Sequence, residues 1–108
     1  MNGSFEIREY TEAGRSPFAE WFGGLDAVTA ARVDRYIRRL EAGNFGAAKP
    51  LGEGVFELRL DFGPGYRVYY GREGRTIIIL LGGGSKRRQD ADIAAAVQRW
   101  KRYKQTRP

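Results

Sequence analysis

A chain of 108 residues, 42% hydrophobic and 30% charged with a net charge of +6, has the size and balance of one soluble globular domain covering residues 1–108. Cysteine and histidine are both absent, which excludes disulfide frameworks, cysteine-rich zinc sites, thiol nucleophiles and every Ser–His or Cys–His triad, and leaves Lys, Arg, Tyr, Asp and Glu for any acid–base chemistry. The longest apolar run, Ile77 to Leu81, falls far short of the ~20 residues of a membrane span, and Met1 to Glu6 shows neither a basic nor an apolar leader segment, so the expected setting is the cytoplasm, without a membrane.

In chain order, Ser4 to Tyr10 alternates polar and apolar residues, as a half-buried strand does. Ser16 followed by Pro17 is a helix start, an N-cap and then a proline where no amide hydrogen is needed. Phe18, Trp21, Phe22 and Leu25 form one apolar helical face, which Gly23-Gly24 ends. Asp26 caps a second helix with the stripe Val33, Tyr36, Ile37 and Leu40; Arg32, Arg35, Arg38 and Arg39 lie mostly off it, and Gly43 stops it. The two helices are expected to form a hairpin.

Asn44 to Gly54 reads as a loop. Three strand signals follow, Val55–Phe62, Tyr66–Gly71 and Thr76–Leu81, joined by hairpin-sized links, so an antiparallel meander is expected. Ile77 to Leu81 is apolar on both faces and belongs in the middle of the sheet. Gly82 to Arg88 reads as a flexible basic loop. A last helix begins near Asp90, with Ile93, Val97, Trp100 and Lys104 on one side. Trp100 and Tyr103 on that helix are candidate contacts for a protein partner, or simply pack on the sheet.

Charge is unevenly divided: residues 1–57 carry 7 basic and 9 acidic residues, residues 58–108 carry 12 and 4. Such a basic half suits a polyanion or an ordinary solvated surface. Gly82-Gly83-Gly84-Ser85-Lys86 is not a phosphate-binding Walker loop, which needs Gly before the Lys and Ser or Thr after it. Alternation along the meander places Arg59, Arg67 and Tyr69 on one polar face, expected to be exposed, where two guanidiniums can converge on a phosphate. The competing reading is a salt-bridged face, with Glu57 or Asp61 paired to Arg67.

The string Gly63-Pro64-Gly65-Tyr66-Arg67-Val68-Tyr69-Tyr70, preceded by Glu57-Leu58-Arg59 and followed by Gly83 to Ile93, resembles the RelE/ParE toxin superfamily, and within it the HigB-like addiction module killer proteins. The resemblance runs from about Phe5 to Trp100. It implies a small α+β fold, a twisted antiparallel sheet of an N-terminal strand and the meander, with the two-helix hairpin on one face and a C-terminal helix. It implies the toxin of a type II toxin–antitoxin system, held inactive by a cognate antitoxin of helix-turn-helix type, in a complex expected to be a heterotetramer. The expected activity is a ribosome-dependent, metal-independent mRNA endonuclease without a cofactor. The alternatives are a ParE-like inhibitor of DNA gyrase and a nucleic-acid-binding member without catalysis.

Carried onto this chain, Arg67 matches the central phosphate-binding arginine, Arg59 a basic position on the preceding strand, and Lys86 and Arg87 the basic strand-end loop. Arg87, Arg88 and Lys49 are the expected RNA contacts. Lys86 or Arg87 supports the leaving group, and Tyr69 or Glu57 is the candidate base. Glu57 stands where some nuclease members have lysine, and Ile93 where some carry a catalytic tyrosine.

Overall fold

The computed structural model describes residues 4–106; the Met1–Gly3 part of the leader reading lies outside them. The elements are β1 (Glu6–Glu9), α1 (Pro17–Gly23), α2 (Ala27–Glu41), β2 (Ala48–Gly52), β3 (Val55–Arg59), β4 (Arg67–Glu73), β5 (Ile77–Gly84), a 3-10 turn (Lys86–Arg88) and α3 (Gln89–Thr106). Both helix caps form as the sequence dictates: the Ser16 side chain accepts from the Ala19 amide at 3.0 Å and that of Asp26 from Thr29 at 3.1 Å, each satisfying a donor the helix leaves open.

The fold is α+β. Five strands form one sheet in the order β1-β5-β4-β3-β2. The meander β3-β4-β5 is antiparallel and β5 is interior, as its two-sided apolar pattern requires. The sheet is mixed rather than antiparallel, because β1 runs parallel to β5, with Ile7 opposite Ile78. The expected loop before Gly54 contains a strand: β2 pairs with β3, Lys49 opposite Glu57. Its hairpin turns through Gly52, Glu53 and Gly54, all at positive φ, which two glycines accommodate without strain.

Each sheet face carries its own core. On one, Phe18 of α1 and Val33, Ile37 and Leu40 of α2 pack on Leu58, Val68, Tyr70, Ile78 and Leu80. On the other, Ala96 and Trp100 of α3 pack on Val55, Tyr69, Ile79 and Leu81. The helical hairpin and the C-terminal helix thus sandwich the sheet.

β5 continues three residues past the expected strand end, through Gly84. The register slips between Tyr69 and Tyr70, so that Tyr69 faces Gly82 and Tyr70 faces Leu80. The three glycines admit helices from both sides. A Cβ on Gly83 would land in the Trp21 ring of α1, and one on Gly84 in the Asp92 carboxylate of α3. The expected flexible loop is therefore a close-packed strand end followed by a 3-10 turn, because the missing side chains let both layers approach the backbone.

Candidate functional site

The register confirms that Glu57, Arg59, Arg67 and Tyr69 share a face: Glu57 pairs with Tyr69, and Arg59 with Arg67. That face is not open. The 3-10 turn and the first turns of α3 lie over it, leaving Arg67 and Glu57 each 2% exposed and Tyr69 1%. The expectation of an exposed Arg67 and Tyr69 is corrected accordingly: alternation assigns a side chain to a face, and α3 decides whether water reaches that face.

Beneath this cover is a polar cluster. Arg67 Nη1 donates to the Gly65 carbonyl at 2.5 Å, holding the turn between β3 and β4. Its Nε stands 3.6 Å from Glu57 Oε2, an ion pair too long to be a hydrogen bond. Glu57 Oε1 accepts from Gln89 Nε2 at 2.9 Å, which fastens the start of α3 to the sheet. The Glu57–Arg67 pairing is the salt-bridged reading of this face. Tyr69 Oη, buried, has no hydrogen-bond partner among the described residues. Burial, then the nearby Glu57 and Asp92 carboxylates, push its phenol well above the usual range, so it stays protonated at neutral pH.

The other predicted residues lie outside this cluster. Arg59, Lys49, Lys86, Arg87 and Arg88 are exposed. Lys49 faces solvent on edge strand β2, in register with Glu57. Lys86, Arg87 and Arg88 form a basic rim on the 3-10 turn, anchored by the Lys86 amide donating to Pro64 O at 3.3 Å. Trp100 and Tyr103, the candidate partner contacts, are instead drawn onto the sheet: Trp100 is 3% exposed and the Tyr103 hydroxyl donates to Glu73 at 2.6 Å.

Beside the rim, an open cleft of about 450 Å³ is walled by Trp21 of α1, Pro64 and Tyr66 of the β3–β4 turn, the Gly83–Ser85 strand end, Arg88 and Asp92. The Trp21 and Tyr66 rings meet edge-on, 6.1 Å apart. Burial raises the Asp92 carboxyl above its ordinary value, with Arg88 and Arg99 pulling it back. In this arrangement the Asp92 carboxyl, which holds its proton more firmly than a free aspartate, can exchange a proton with a bound ligand, while Arg88 can contact a phosphate. Sequence reasoning missed Asp92, Gln89, Trp21 and Tyr66 as site residues. The signal for Asp92 lay in Gly84, whose missing side chain makes room for it.

The chain matches the model of the family described as "Phage derived protein Gp49-like (DUF891)" over residues 20–101. It is also 45% identical over 80 residues to an uncharacterized protein of Haemophilus influenzae, an alignment covering 73% of this chain and 81% of that one. The chain belongs to the phage-derived Gp49-like family. Among the described residues, no helix is long and apolar enough to cross a membrane.

Proposed function

We propose that this chain is the toxin of a type II toxin–antitoxin system and acts as a metal-independent endoribonuclease on mRNA. Three things support the reading: membership of a phage-derived family, the α+β fold, and the RelE/ParE resemblance of the β3–β4 segment. The observation that carries it is the cleft in which Asp92 and Arg88 stand beside Trp21 and Tyr66.

In this mechanism the two aromatic rings hold unstacked bases, as single-stranded RNA readers do. Arg88, with Lys86 and Arg87 on the rim, neutralises charge gathering on the phosphoryl group. Asp92 accepts the proton of the 2′-hydroxyl as its oxygen attacks phosphorus; burial makes its carboxylate a stronger base than that of a free aspartate. The departing 5′ oxygen takes a proton from water in the open cleft. Tyr69 is too firmly protonated to serve as the base. Arg67 is assigned a positioning role, holding the Gly65 turn and, through Glu57 and Gln89, the start of α3. The partner is a cognate antitoxin that covers the basic rim, and the ribosome presents the mRNA.

Brief induction in a bacterial host, with primer-extension mapping of mRNA 5′ ends, tests this. New 5′ ends that vanish in Asp92→Asn and Arg88→Ala, both still folded, are expected. SOS induction with nicked DNA and intact mRNA would overturn the nuclease reading in favour of a gyrase target.

A further inference from the structure

Helix α2 carries four arginines and two acids, and the acids are both spoken for. Asp34 and Glu41 pair with Arg38, at 3.6 and 2.8 Å. Arg32, Arg35 and Arg39, at i, i+3 and i+7 on one side of the helix, are exposed, and no carboxylate stands within ion-pair distance of them among the described residues. Two are pinned over aromatic rings: the Arg32 guanidinium lies 4.1 Å from the Phe62 ring centroid and that of Arg39 4.7 Å from Tyr36. Held over a ring, a guanidinium loses little freedom on binding and keeps N–H donors for an incoming anion.

Those rings form a continuous row. Tyr36 stacks on Phe62 at 6.1 Å, Phe62 meets Tyr66 at 5.4 Å, and Tyr66 meets Trp21 at 6.1 Å. The row begins at Arg39 on α2 and ends inside the cleft that holds Asp92. We infer that the arginine face of α2 and this aromatic row form a track for single-stranded nucleic acid, guiding several nucleotides of an RNA strand into the cleft. The inference rests on the nuclease reading and extends it from the scissile phosphate to the strand that carries it. Arginines beside aromatic rings are the chemistry of sequence-tolerant single-strand binding: phosphates go to the guanidiniums laid over Tyr36 and Phe62, and bases to Tyr66 and Trp21 at the cleft end, over which no guanidinium lies among the described residues. The four rings also pack on the core beneath α2; an acidic protein segment would use the arginines alone, whereas a nucleic-acid strand uses the arginines and the Tyr66–Trp21 end of the row where it opens into the cleft.

The test is fluorescence anisotropy with 2′-O-methyl oligouridylates, which lack the 2′-hydroxyl that cleavage requires, at six and sixteen nucleotides. The wild-type chain should bind the sixteen-mer at least tenfold tighter than the six-mer. Arg32→Ser/Arg35→Ser/Arg39→Ser, on exposed positions and checked for an unchanged melting temperature, should erase that advantage while changing six-mer affinity less than twofold. Its salt dependence should weaken by about 2 in log–log slope, at about 0.7 per phosphate contact on a single strand. The triple lysine variant should keep the slope and lose part of the affinity. A serine variant that binds both lengths like the wild type overturns the track, as does one that binds RNA normally but no longer co-purifies with a protein partner. Either result leaves cleavage by the Asp92 cleft standing. A wild-type chain that binds neither length overturns the track together with the reading beneath it.

Discussion

Arg67 is the residue whose environment matters most for interpreting any loss of function. Its guanidinium and the Glu57 carboxylate are enclosed together, and removing one charge leaves the other buried without its counter-ion. Arg67→Ala should therefore lower stability by about 3–5 kcal/mol in urea unfolding. A loss of toxicity in that variant would report unfolding before it reported chemistry. Stability equal to the wild type would show that water reaches the pair. Tyr69→Phe is the contrasting case, since its hydroxyl gives up no hydrogen bond in the described structure; it should fold within about 1 kcal/mol of the wild type and, on the proposed nuclease reading, keep wild-type cleavage. Asp92 gives a pH signature. Its carboxyl is raised above its ordinary value in the folded chain, so the stability it contributes is complete below the unfolded value and is lost as pH rises through the folded one. The melting temperature of the wild type relative to that of Asp92→Asn should decline as pH rises from 3 to 7. Parallel curves would remove Asp92 from the list of perturbed groups, and with it the case for it as base.

At the scale of elements, the glycines of the sheet decide how closely the helices approach. Gly71 of β4 lies under the Trp100 indole, and Gly83 of β5 under Trp21; a methyl group at either would enter the ring. Gly71→Ala and Gly83→Ala should each cost about 1–3 kcal/mol or more, as overpacking does, whereas at Gly23, where a Cβ meets nothing within 4 Å, alanine should be tolerated. Thermal melts of the three variants separate these cases. What the sequence made legible was local. Ser16-Pro17 and Asp26 set both helix starts because a cap is a local interaction, and alternation from Val55 to Leu81 found the meander. β2 escaped because Lys49-Pro50 and the run Gly52 to Gly54 have the composition of a loop, and its strand character comes from pairing with β3. The direction of β1 escaped because period-2 alternation is the same in parallel and antiparallel strands. Arg59, Arg67 and Tyr69 were assigned to the right face, yet the burial of Arg67 and Tyr69 depends on α3, an element that begins 20 residues after Tyr69.

Across the whole molecule, α3 closes the second core and binds the C-terminal segment to the rest of the chain, by two kinds of contact of very different strength. One is the burial of Trp100, stacked on Tyr103 with ring centroids 5.4 Å apart and set in the gap above Gly71. The other is polar: beside the hydrogen bonds of Gln89 to Glu57, Arg99 to the Leu81 carbonyl and Tyr103 to Glu73, Arg102 pairs with Glu12 at 3.1 Å, both side chains more than half exposed. Enclosed aromatic surface outweighs a solvated ion pair, because water screens the pair and its long side chains must be ordered to form it. Trp100→Ala should then destabilise the chain by about 3–5 kcal/mol, enough to loosen α3 from the sheet and let water reach Glu57 and Arg67. Arg102→Ala should cost less than about 1 kcal/mol. Hydrogen exchange should show the pattern directly: in Trp100→Ala the amides of α3 and of β4 around Tyr69 should lose protection while those of α2 keep theirs. If Arg102→Ala proves the more damaging of the two, the second core is not what holds this end of α3 to the sheet.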